Sequence, residues 1–117
     1  MGAVRLTDSL VDGVSPTFFT SAFHSMMEHH ILDLATSEAA QPLTLENSMA
    51  VQYNGDLNGL LSALGVPLQY QWMTMRCNGL YGATDYRSDM INLVQPSFEE
   101  IDELHALYIT STAAVIN

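Results

Sequence analysis

Turn and cap chemistry cuts this chain into short pieces before any hydrophobic pattern is considered. Ser15-Pro16, Asn54-Gly55-Asp56, Gly65-Val66-Pro67, Asn78-Gly79 and Pro96-Ser97 each combine residues that start, stop or reverse a backbone. Most intervals between these signals hold a single helix or strand, so the chain must fold from many small elements. With 117 residues, two separate cores would each be marginal, because single cores close at roughly 100 to 150 residues. One domain spanning residues 1–117 is expected.

The helices announce themselves by their caps. Ser15 followed by Pro16 starts the first, since proline at the first helical position forfeits a donor that has no partner there. Phe19, Phe23, Met26, Met27, His30, Ile31 and Leu34 then recur at spacings of three and four, which predicts one apolar stripe reaching about Ala35. Asp56 caps a second helix with Leu57, Leu60, Leu61 and Leu64 on one face, and Gly65 stops it before Pro67. Ser97 and Glu100 have capping-box spacing and launch the last helix. Phe98, Ile101, Leu104, His105 and Tyr108 share its inner face, opposite Glu99, Glu100, Asp102 and Glu103.

Residues 36–47 lose the helical period, contain Pro42, and read as a connecting loop. Met49, Val51 and Tyr53 alternate up to the Asn54-Gly55 turn, as a short strand would. In Leu68 to Cys77, Tyr70, Trp72 and Thr74 alternate with Met73 and Met75, which predicts a strand buried partly on both faces and closed by a hairpin turn at Asn78-Gly79. Leu80 to Asp89 reads as an ordered loop or a short edge strand, and Met90 to Gln95 as a further strand. These elements imply an α+β fold: a small, largely antiparallel sheet with about three helices packed on one face. Residues 1–14 and 109–117 are expected to be extended arms.

Charge narrows the possible functions. Thirteen Asp and Glu face three Arg and no Lys, for a net charge of −10. No Lys or Arg lies between Leu6 and Met75, so the phosphate neutralisation that nucleic-acid affinity requires has no source there. The same deficit opposes docking on anionic lipid, and no apolar run of about 18 residues is present to span a bilayer. Met1 to Leu10 lacks the basic start and apolar run of a secretory signal. Cys77 is the single cysteine and has no partner for an internal disulfide. A cytoplasmic setting is expected. Charged residues are only 14% of the chain while apolar ones are 48%. So little charge predicts surface covered by protein partners, as in a homo-oligomer or larger assembly.

Catalytic chemistry finds little footing in these residues. Without lysine there is no Walker-type phosphate ligand and no Schiff base. The G-x-S-x-G and G-x-G-x-x-G signatures and paired cysteines are also missing. His24, His29 and His30 share the first helix, Glu28 stands four residues after His24, and His105 lies on the last helix. His24 and Glu28 can offer two ligands to a metal, and His30 and His105 meet if their helices pack side by side. A buried imidazole bonded within the core is the more frequent use of such residues. No catalytic residue, metal ligand or cofactor is therefore assigned. Trp72, Tyr70 and Tyr81 can form an aromatic platform but suit a core equally, and Arg87 sits between Asp85 and Asp89 as a candidate ion pair.

Gly-Asp-Leu-Asn-Gly-Leu-Leu from Gly55, Val-Pro-Leu-Gln-Tyr-Gln-Trp-Met-Thr-Met-Arg from Val66, and Thr-Asp-Tyr-Arg-Ser-Asp from Thr84 together cover about a third of the chain. In these stretches the sequence resembles small virion proteins of tailed bacteriophages, those that build necks, tails or baseplates. The resemblance implies a structural or adaptor protein that works by self-assembly or by docking into a larger complex. The competing expectation is a small metal-dependent enzyme, or a ligand-binding regulatory domain, using the His24, Glu28, His30 and His105 group.

Overall fold

In the computed structural model, which describes residues 14–116 and the side chains of 14–111, the fold is α+β. The chain enters through a 3₁₀ turn at Pro16–Phe19, followed by α1 (Ser21–Met27), a second 3₁₀ turn at Glu28–His30 and α2 (Ile31–Thr36). Strand β1 (Gln41–Thr44) precedes α3 (Asn47–Gln52), α4 (Leu57–Ala63) and α5 (Leu68–Cys77). After a 3₁₀ turn at Ala83–Asp85, strand β2 (Asn92–Gln95) leads into the long α6 (Phe98–Ile116). The sheet is antiparallel and two-stranded, with Gln41 opposite Gln95 and Pro42 opposite Val94.

The cap residues behave as their chemistry dictates. The Ser15 hydroxyl accepts from the Thr17 N–H, Asp56 from Gly59 and Ser97 from Glu100. The first helical region does not run unbroken, because Thr20 is extended (φ −84°, ψ 148°) and itself caps α1 through the Phe23 N–H. That break resets the helical phase. Phe18 is therefore buried in place of Phe19, which is 39% exposed, while Phe23, Met27 and Leu34 hold the expected core positions.

Two segments read as strands are helices. Leu68–Cys77 forms α5, which contacts α2, α4 and β2 and so lies at the centre of the molecule. Tyr70, Met73 and Thr74 are buried at helical spacing, and Gln71 and Met75 extend the buried arc beside them. Asn78-Gly79 is consequently a helix stop and not a hairpin. Gly79 takes φ +77°, its N–H bonds to the Arg76 carbonyl, and the Leu80 N–H bonds to the Met75 carbonyl. These two bonds define a Schellman motif. The same pair closes α4, from Gly65 (φ +86°) to Ser62 and from Val66 to Leu61. The second misread segment, Met49 to Tyr53, lies largely within α3, with Ala50 buried and Val51 66% exposed.

β1 falls inside the stretch read as a loop. A four-residue strand carrying proline is tolerated only where its missing N–H faces no partner, and the register meets this condition. Directly opposed antiparallel residues exchange either both backbone bonds or neither. Pro42 has no N–H, so Pro42 and Val94 form a pair without bonds, and Val94 turns its N–H and C=O away from β1. Asn78 receives both: its Oδ1 accepts from the Val94 N–H at 2.8 Å and its Nδ2 donates to the Val94 carbonyl at 2.9 Å. A second donation from Nδ2 reaches the Thr74 carbonyl at 2.7 Å. One amide thus completes the outer edge of β2 and fixes it to the end of α5.

The arm expected at 109–117 is helical through Ile116, since α6 continues without a stop residue. The arm expected at 1–14 lies almost wholly outside the described residues. Among these residues, no helix is long and apolar enough to cross a membrane.

Candidate interaction surface

Two of the four histidines, His24 and His105, are built into packing contacts. His24 stacks on Trp72 with centroids 3.9 Å apart and rings 1° from parallel, and its Nε2 bonds the Phe18 carbonyl at 2.9 Å. That bond makes Nε2 the protonated nitrogen of a neutral ring. Burial holds His24 below its ordinary pKa of 6.5, against weaker opposing effects of the Phe18 bond and the Glu28 charge. His105 stacks on Phe18 at 3.7 Å and meets the Thr17 hydroxyl through Nε2 at 2.6 Å. Burial lowers its pKa as well, opposed by Asp102.

Glu28 is held by Arg76 through two bonds, Nε to Oε2 at 2.8 Å and Nη2 to Oε1 at 3.0 Å. These bonds lower the carboxyl pKa. Arg76 also donates to the Leu80 carbonyl and lies 4.2 Å over the Tyr81 ring. Asp102 accepts from the Tyr70 hydroxyl at 2.9 Å through both oxygens. Each candidate ligand except His30 therefore already has a protein partner. His30 faces a groove, while His105 points to Thr17 and Phe18, so the two rings do not form a joint site. Among the described residues, no group of three or more His, Cys, Asp or Glu is arranged to hold a metal.

The aromatic platform separates in the same way. Tyr70 goes to the core and stacks on Phe98 at 4.3 Å. Trp72 and Tyr81, with Phe19 and Leu68, line an open hollow of about 380 Å³. Arg87 donates to the backbone carbonyls of Thr84 and Tyr86, a use that the flanking aspartates did not suggest.

An open concavity of about 580 Å³ lies between α2 and α6. His30, Asp33, Leu34 and Ser37 form one wall, and Glu100, Glu103, Leu104 and Leu107 the other. It continues past Leu104 and Leu107 into a smaller hollow of about 160 Å³ beside Met26 and Tyr108. The Ser37 hydroxyl donates to Glu100 Oε2 at 2.9 Å and ties the two walls together. Buried Leu34 and half-buried Leu104 form the floor, Leu107 stands 62% exposed beside them, and Asp33, Glu100 and Glu103 are the charged residues of the lining. Sequence reasoning placed Leu104 on the inner face and the two glutamates on the outer one, but passed over Leu107. The available signal was a leucine six residues after Ile101, about 120° around the helix from it at 100° per residue.

Compared with family models, with curated proteins and with solved structures, the chain matches none.

Proposed function

We propose that this chain is a structural or adaptor protein that acts by self-assembly or by docking into a larger complex, such as the neck, tail or baseplate of a tailed-phage virion. The observation that carries this reading is the open, leucine-floored groove between α2 and α6, with Leu107 62% exposed. Exposed leucine in a concave surface gains free energy only when another surface covers it. The histidine and carboxylate group supports the same reading, because Glu28, His24 and His105 hold elements of the fold together. Native mass spectrometry of the purified protein tests it. A defined, metal-free oligomer supports assembly, and a monomer carrying a stoichiometric transition metal overturns it in favour of a metal-dependent enzyme. A bare monomer rejects self-assembly and leaves docking on a partner as the form to be tested.

A further inference from the structure

The groove between α2 and α6 has a chemistry that selects its occupant. We infer that it receives a cationic amphipathic helix presented by another protein; this rests on the docking reading above and specifies the partner. Glu100, Glu103, Leu104, Leu107 and Ser111 follow one another at helical spacing along α6. From 100 to 111 they span about 17 Å at 1.5 Å per residue, the length of about three turns of a guest helix. A helix laid in such a groove buries residues at i, i+3, i+4 and i+7 against the leucines.

The rim sets the charge of that helix. Asp33 and Glu103 are exposed at the groove, and among the described residues His30 is the only one lining it that can become positive. A second copy of this chain makes a poor guest. Of its three arginines, Arg76 is held by Glu28 and Arg87 by backbone carbonyls. Arg5 is the single basic residue left to set against thirteen acids. Like charges then face each other across the contact, whereas lysines or arginines flanking an apolar stripe face carboxylates.

Fluorescence polarisation with a labelled 14-residue Leu/Lys peptide tests this. The peptide has leucines at i, i+3, i+4 and i+7, and its control is a peptide of the same composition shuffled so that no helical face is apolar. The patterned peptide is expected to bind saturably and at least about tenfold more tightly than the shuffled one. Leu107→Asp should weaken it by a further factor of about ten, and Asp33→Asn with Glu103→Gln by about three to ten, with a shallower salt dependence. All three positions are exposed, and an unchanged melting curve shows that each variant is folded. Equal binding of the two peptides, no effect of Leu107→Asp, or no saturation at roughly millimolar peptide overturns the inference. If such a failure accompanies a defined oligomer in the mass spectrum, only the groove assignment falls. With a bare monomer, the docking reading falls too.

Discussion

Replacing Asn78 with alanine removes both bonds that its amide makes to Val94 and the one it makes to the Thr74 carbonyl. At a net value of roughly 1 kcal/mol each, the loss is about 3 kcal/mol. For a chain of this length the unfolding entropy is about 0.25 kcal/mol/K, so the thermal midpoint falls by about 12 °C. Asn78→Asp gives a sharper test. At pH 7 its carboxylate can still accept from the Val94 N–H, but it sets a negative oxygen against the Val94 and Thr74 carbonyls, so this variant is at least as unstable as the alanine one. Below about pH 4 the carboxyl protonates and regains a donor, and the aspartate variant then gains stability relative to alanine. Far-UV circular dichroism melts of both variants at pH 7 and pH 3.5 measure this. A loss under about 3 °C for alanine, or no relative gain by aspartate on acidification, refutes the role of Asn78 as the partner of the β2 edge.

Both His24 and His105 have folded pKa values below their ordinary 6.5 because of burial; between the folded value and 6.5 the unfolded chain binds more protons, so stability is full above 6.5 and falls as pH drops below it. Urea melts between pH 7.5 and 5.5 should show this slope, and the His24→Gln/His105→Gln variant should show a flatter one; equal slopes exclude the two rings as its source. Burial pushes the Cys77 thiol up to about 11, so its thiolate at pH 8 is scarcer than that of a free cysteine by roughly two orders of magnitude. Iodoacetamide labelling of the folded protein should be slower by a similar factor, and labelling at the free-thiol rate contradicts the burial. Among the described residues the buried Tyr86 hydroxyl has no hydrogen-bond partner, so Tyr86→Phe should be neutral or stabilising by up to about 1 kcal/mol in the same melts; a loss beyond about 1 kcal/mol shows that the hydroxyl is bonded.

What could be read from the sequence was the chemistry confined to a few neighbouring residues. Ser15, Asp56 and Ser97 cap the turns and helices expected of them, and Gly65 ends α4, because each bond joins groups two to five residues apart. Helix α5 was misread because Tyr70, Trp72 and Thr74 favour strands, while the packing that overrides this preference comes from α2, α4 and β2. The pattern itself allowed both readings: 70, 73 and 74 fit a helix, and 70, 72 and 74 a strand. Met49 and Tyr53 are ambiguous in the same way, since a spacing of four suits either period. Strand β1 was hidden by Pro42, whose place in the ladder depends on Val94, 52 positions away, turning its polar groups toward Asn78.

The histidines and the groove show why the sites were harder to read than the caps. Spacing on one helix identifies side chains that share a face, but it does not reveal what that face meets. His105 and Leu104 are adjacent on α6, yet one stacks on Phe18 and the other lines the groove. Helix α6 carries two apolar strips: one through Ile101, buried in the core, and one through half-buried Leu104 and exposed Leu107 that the other described residues leave partly open. A single-strip reading accounts for Ile101 and leaves Leu107 among the acids as an isolated surface leucine. With Leu34 on the opposite wall, that leucine becomes part of an apolar lining. The carboxylates that marked this side of α6 as a solvated face then form the rim that favours a cationic guest.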